Sequence, residues 1–282
     1  MTTSLRKAIC GSALALFFGF LQEVQAAPLH VMLDPGHGGA DAGASRGALK
    51  ESVIALKVAQ QVSELLKKDA RFKVSMTRVT DRKVSLSRRT RLAEDFKADL
   101  FVSIHLNSSP DPRVRGTEIY FQNQLPADEE ALFLVGREHE HESADEAEEG
   151  SSKTPSKSEP LSTRTDLKRI LEDLDRNHRI QTSSELGKTL LGAWLEAQLG
   201  HKAGTRSIRQ APFHVVSNIN IPSVLVELGY VSNPQEGARL ASADHQKELA
   251  RALYEGLVKF KETVDNDQAE NLKSQSLAVP QK

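Results

Sequence analysis

The chain has 282 residues, 37 basic against 38 acidic side chains, 39% hydrophobic content and a single cysteine. These figures exclude collagen-like, coiled-coil and disulfide-scaffold architectures. A formal net charge of -1 gives no overall field for a polyanion, so no nucleic-acid partner is expected. One cysteine forms neither an internal disulfide nor a cysteine-based metal site.

The first 26 residues read as a secretory signal peptide. Arg6 and Lys7 precede an apolar run, Ala8 to Leu21, and Val24-Gln25-Ala26 supplies the small residues of a cleavage site. The run has 14 residues, short of the roughly 20 that a membrane span needs, so no stable span is expected after cleavage. Cys10 leaves with the leader. A cysteine-free mature chain suits an oxidising compartment, and a periplasmic location is expected.

Leu29 to Asp34 predicts a short buried strand ending in the turn Pro-Gly-His-Gly-Gly. From Glu51, the spacing of Val53, Ile54, Val58, Val62, Leu65 and Leu66 predicts a helix to about Lys68. Phe72 to Thr77 reads as a strand. Val84 to Lys97 reads as a charged helix with Leu86, Leu92, Ala93 and Phe96 inward and Arg88, Arg89 and Arg91 on a solvated face. Asp99 to His105 and Gly116 to Phe121 are further strands.

An insertion of about 122–180 follows. Asp128 to Pro160 holds eleven acids against three bases, a local charge of -8 that leaves the remaining residues at +7, and it is expected to be largely a solvated, mobile loop. His139 and His141 belong to that charge run. Leu167, Ile170, Leu171 and Leu174 then follow amphipathic spacing, a stripe that needs something to pack on. A helix over Ser184 to Leu199 carries Trp194 as a core residue, and strands are predicted over Phe213 to Val216 and Ser223 to Glu227. His245 to Lys261 forms a closing helix, and 265–282 reads as a disordered tail. His178, His201, His214 and His245 show no partner pattern. Strands alternating with helices predict a single α/β domain over 27–264, with a mostly parallel twisted sheet and helices on both faces.

Three polar residues are presented at one edge of such a sheet. His37 sits among glycines at the carboxyl end of the first strand, where ligand sites of open parallel sheets gather. His105 ends the run Leu100-Phe101-Val102-Ser103-Ile104, and Glu51 opens the first helix, whose amino end points to the same edge. Each alone has a commoner reading: a strand-to-helix turn, a core histidine, an acid favouring the helix dipole. Together, two imidazoles and a carboxylate make a catalytic zinc set with one position left open. Glu227 closes the apolar run Val224-Leu225-Val226; burial is expected to raise its pKa toward the range useful for proton transfer, and it is the candidate general base.

These motifs carry a resemblance. Asp34-Pro35-Gly36-His37-Gly38-Gly39, a Glu fourteen residues after the His, Ser103-Ile104-His105-Leu106-Asn107 and the segment Val226-Glu227-Leu228-Gly229-Tyr230-Val231-Ser232-Asn233 together resemble the zinc-dependent N-acetylmuramoyl-L-alanine amidases of bacterial cell walls. The resemblance covers about Leu29 to Glu262. It implies one zinc ion on His37, Glu51 and His105, catalysis by Glu227, and peptidoglycan as substrate. It also implies a role in wall remodelling and daughter-cell separation. Leu106 departs from the small residue usual after the second His. In some members the insertion's interval holds a segment that covers the metal until a protein activator displaces it, so autoinhibition is expected here. A peptidase cutting within wall peptides and a non-catalytic wall-binding protein remain open alternatives.

Overall fold

The computed structural model describes residues 27–122, 129–140, 163–199 and 208–277. The expected leader, 1–26, lies outside the described residues, as do 141–162 of the insertion and 278–282 of the expected tail. The strands are β1 (Leu29–Pro35), β2 (Ser45–Arg46), β3 (Leu49–Lys50), β4 (Phe72–Met76), β5 (Leu100–Asn107), β6 (Glu118–Phe121), β7 (Ile208–Gln210) and β8 (Ser223–Tyr230). The helices are α1 (Glu51–Leu66), α2 (Leu86–Asp95), α3 (Glu129–Glu140), α4 (Thr163–Glu196), α5 (His214–Ser217), α6 (Pro234–Leu240) and α7 (Ala243–Leu277).

Six strands form one sheet in the order β4-β1-β5-β8-β6-β7, and β2 pairs only with β3. β4, β1, β5 and β8 run parallel, β6 is antiparallel to β8, and β7 follows β6. The expected mostly parallel sheet is therefore present, with a reversed edge. Side chains alternate across it. Val31, Leu33, Val102 and Ile104 face a core shared with α1, α4 and α7. Met32, Phe101 and Tyr120 face a second core with residues of α2, α3 and α5. Helices thus cover both faces, the arrangement that lets parallel strands be apolar throughout.

Trp194 is 1% exposed. An indole removes roughly 150–250 Å² from water, about 4–6 kcal/mol before entropy is counted. The α4–α7 contact is tight at Gly256, where a Cβ would lie 2.8 Å from the Leu190 Cα.

Several expectations need correction. Phe213 to Val216 is not a strand: Phe213, Val215 and Val216 all enter the same core cluster, which the alternation of a strand forbids, and one turn of helix, α5, satisfies it. The strand in this region is β7. Phe96 is half exposed rather than inward, because it caps α2 at its carboxyl end. The stripe from Leu167 to Leu174 and the predicted helix from Ser184, which ends at Glu196 rather than Leu199, belong to one helix, α4, with no proline or glycine to stop it before Gly187. α3 lies inside the acidic run expected as a loop, since Ala131, Leu134 and Val135 at helical spacing are buried. α7 continues to Leu277, over residues expected as a disordered tail. No glycine or proline interrupts it after Gly256, and the Lys261–Asp265 pair at i,i+4 supports the extension.

Candidate metal centre and catalytic site

β1 ends in a turn that cannot be built from ordinary residues. Gly38 (φ +133°) and Gly39 (φ +64°) take backbone conformations that favour glycine, and His37 itself stands at φ +54°. A Cβ on Gly36 would come within 2.5 Å of the His105 ring. The turn therefore lets His37 and His105 approach, with ring centroids 5.1 Å apart.

Glu51 begins α1 and is 1% exposed. Its Oε1 lies 3.2 Å from His37 Nε2 and 3.0 Å from His105 Nδ1. Two backbone amides fix the carboxylate: Leu106 N–H donates to Oε1 at 2.9 Å and Ala44 N–H to Oε2 at 2.8 Å. Leu106 thus serves the site through its backbone, with its side chain buried in the core. Burial alone would raise the Glu51 pKa, but the charge of His37 and hydrogen bonds from both imidazoles hold it well below the usual carboxylate range.

One potential ligand atom from each of His37, Glu51 and His105 lies within 4.8 Å of the others, and all three residues are buried. Tetrahedral donors about 2.0–2.1 Å from a zinc ion stand roughly 3.3 Å apart, close to the two carboxylate–imidazole distances. Asp41 Oδ2 accepts from His37 Nδ1 at 2.7 Å, which leaves the Nε2 lone pair directed at Glu51. Two such lone pairs at 3.2 Å require a positive charge between them, a proton or a metal ion. The donor set fits zinc, and Asp41 is the outer carboxylate that commonly orients a metal-bound imidazole.

Glu227 is on β8, 3% exposed, and is the Cα partner of His105 on one side and of Glu118 on the other. The sheet therefore brings all four candidate residues to one edge. Next to Glu227, the Glu118 carboxylate accepts from Asn107 Nδ2 (2.9 Å), Tyr120 OH (2.8 Å), Tyr230 OH (2.9 Å) and Arg209 Nη1 (2.8 Å). Burial and the negative charge of Glu118 push the Tyr120 hydroxyl pKa up, so it stays a donor.

Sequence reasoning missed this network, and it misplaced Arg89. Rather than facing solvent, Arg89 is 3% exposed and paired at 2.7 Å with Asp34, which is fully buried. Its inward position was legible in the spacing Leu86, Arg89-Thr90, Ala93, the buried face of α2. Burial alone would raise the Asp34 pKa, but Arg89, Thr77 and Ser103 lower it. Arg78, also missed, is 1% exposed; burial and the nearby Arg89 lower its pKa to about 10. The side chains of His139 and His141 lie outside the described residues.

A family profile described as N-acetylmuramoyl-L-alanine amidase matches residues 31–259. The chain is 34% identical over 255 residues to the probable N-acetylmuramoyl-L-alanine amidase AmiB of Haemophilus influenzae, covering 87% of this chain and 55% of that protein. It is 32% identical over 248 residues to the amidase AmiA of Escherichia coli, covering 86% of this chain and 80% of that one. Among solved structures, the catalytic domain of CwlV from Bacillus (Paenibacillus) polymyxa superposes with a TM-score of 0.59 at 25% identity, over 83% of this chain and 98% of that one. The CwlD amidase of Clostridioides difficile, solved in complex with the GerS lipoprotein, shares the fold with a TM-score of 0.59 at 21% identity, over 83% and 99% of the two chains.

Proposed function

This chain belongs to the N-acetylmuramoyl-L-alanine amidase family of peptidoglycan hydrolases, and we propose that it cleaves the amide between N-acetylmuramic acid and L-alanine with one zinc ion held by His37, Glu51 and His105. The observation that carries the metal assignment is the buried His-Glu-His set with its donors at 3.0–3.2 Å. Bound there, zinc would act as a Lewis acid on the scissile carbonyl and make water nucleophilic near neutral pH.

The chain's own groups do the rest. Asp41 holds the proton on His37 Nδ1 and so keeps Nε2 a ligand. The amides of Ala44 and Leu106 hold the Glu51 carboxylate in one orientation. A Glu227 carboxylate oxygen takes a proton from the attacking water and returns it to the leaving nitrogen of L-alanine, for which its place beside His105 suits it. Incubation with isolated peptidoglycan is expected to release intact stem peptides with a free L-alanine amino group, and a zinc chelator is expected to stop it. Mass spectrometry that found cuts within the stem peptides instead would establish the peptidase alternative.

The insertion would act as a switch. α3 packs Ala131, Leu134 and Val135 on the sheet and reaches the catalytic edge, where Arg137 Nη1 donates to the Ser108 carbonyl at 3.2 Å, three residues beyond His105. The amino-terminal turns of α4 leave Leu167, Ile170, Leu171 and Leu174 between 53% and 59% exposed, a stripe on which a protein activator would act. Arg137→Ala is expected to raise the basal rate of wall digestion several-fold; an unchanged rate would remove the support for autoinhibition through this contact.

The same reading places the enzyme in the periplasm, exported by the leader, in wall remodelling and daughter-cell separation. No helix among the described residues is long and apolar enough to cross a membrane.

A further inference from the structure

We propose that Arg89 and Arg78 are positioning residues for the metal centre, clamping the carbonyl groups of the His37 turn so that the site is preformed before any ion binds. The inference rests on the zinc reading above.

The two guanidinium groups divide the turn between them. Arg89 donates from Nη1 to the Pro35 carbonyl (2.7 Å) and from Nη2 to the carbonyl of His37 itself (2.8 Å). Arg78 donates from Nε to the Pro35 carbonyl (2.9 Å) and from Nη2 to the Gly36 carbonyl (2.6 Å). Three consecutive carbonyls are thereby held. Arg78 Nη2 also donates to the Ser52 carbonyl at 2.8 Å, one residue after Glu51. One side chain therefore ties the turn of the first ligand to the helix start that carries the second.

The clamp is itself anchored. Arg89 Nε donates to the Val84 carbonyl at 2.9 Å and Nη1 to Asp34 Oδ1 at 2.7 Å. Asp34 also accepts from Thr77 Oγ1 at 2.6 Å and Ser103 Oγ at 2.8 Å. A ring of contacts from Thr77 just after β4, from α2 and from β5 thus closes under the turn. His37 needs such support, because a non-glycine residue in the left-handed region costs on the order of 1–3 kcal/mol unless its surroundings over-determine it.

Stability alone argues against this arrangement. Asp34 pairs directly with Arg89, whereas Arg78 donates to backbone carbonyls, and buried charge is often replaceable by well-packed apolar groups with no loss of stability. What the guanidinium fork supplies is a planar set of donors that meets several fixed carbonyls at once, which a lysine ammonium cannot do.

The test uses the full-length protein and two variants, Arg89→Lys and Arg78→Lys. Zinc affinity is measured by chelator competition, coordination by the visible spectrum of the cobalt-substituted protein, and fold by the melting temperature of the metal-free form. A folded variant is expected to bind zinc roughly 10–100-fold more weakly, the scale of outer-shell losses at metal sites, with an altered cobalt spectrum. Wild-type affinity and spectrum in either folded variant would overturn the proposal, even if the melting temperature fell.

Hydrogen exchange on the metal-free wild type provides a test that needs no variant. The amides of Gly36 and Gly38, which donate to the Ile104 and Asp41 carbonyls, are expected to be protected already, and free exchange that slows only when zinc is added would overturn the clamp. Failure of the wild type to bind zinc would instead overturn the metal assignment, while the exchange experiment would still judge the clamp.

Discussion

Glu227→Gln is expected to lower kcat for stem-peptide release by roughly 10²–10⁴-fold, the usual contribution of a positioned acid or base. KM and zinc content should stay near wild type. Glutamine matches glutamate in shape, and the residue is 3% exposed on a strand hydrogen-bonded on both sides, so the β8 register has no reason to move. The amide cannot take up the proton that hydrolysis releases, nor return it to the leaving nitrogen. Loss confined to kcat is the signature of an interaction made only in the transition state. Steady-state kinetics on dye-labelled peptidoglycan, with metal analysis of the same sample, checks this; an unchanged rate would remove Glu227 from the mechanism, and only a wild type that released nothing would revive the reading of a wall-binding protein without turnover.

Gly36→Ala is expected to weaken zinc binding at least about 100-fold, although it adds only one uncharged methyl group. That methyl would lie 2.5–2.7 Å from three atoms of the His105 ring. Gly36 cannot yield easily, because its N–H donates to the Ile104 carbonyl at 2.9 Å and its carbonyl accepts from Arg78 at 2.6 Å. The imidazole must turn away from Glu51, and a displaced ligand costs affinity directly. Overpacking of this kind also lowers stability by about 1–3 kcal/mol. Gly47→Ala is the control: nothing lies within 4 Å of its Cβ position, and its positive φ of 60° carries only backbone strain. It should lower the melting temperature while leaving zinc affinity unchanged. Equal zinc affinity in Gly36→Ala and wild type, by chelator competition, would contradict the packing argument.

The four candidate residues were legible because each is marked by its neighbours along the chain. Glycines surround His37, an apolar run precedes His105 and another precedes Glu227, and Glu51 stands where a helical pattern begins. Arg78 and Glu118 carry no such local mark, and the one Arg89 has, its place on the buried face of α2, is masked by its charge. A charged residue in a polar stretch reads as solvated, and it becomes a buried hydrogen-bonding group only when other strands supply partners: Pro35, Gly36 and Ser52 for Arg78, Asn107, Tyr230 and Arg209 for Glu118. The same limit explains α5, where β-branched residues suggested a strand and the single core shared by Phe213, Val215 and Val216 required a turn of helix.

By itself, the order of residues determined the α/β alternation, the sheet edge where the site lies and the identity of the imidazoles and carboxylates gathered there. Periodicity and strand ends are local properties, set by which side chains must leave water. Only the tertiary structure decided the spacing of those groups, the reversed edge formed by β6 and β7, and the two arginines beneath the His37 turn. Those features depend on contacts between segments far apart in the chain, such as Arg89 with His37 and Glu51 with Leu106, and burial there is a property of the assembled sheet rather than of any one stretch.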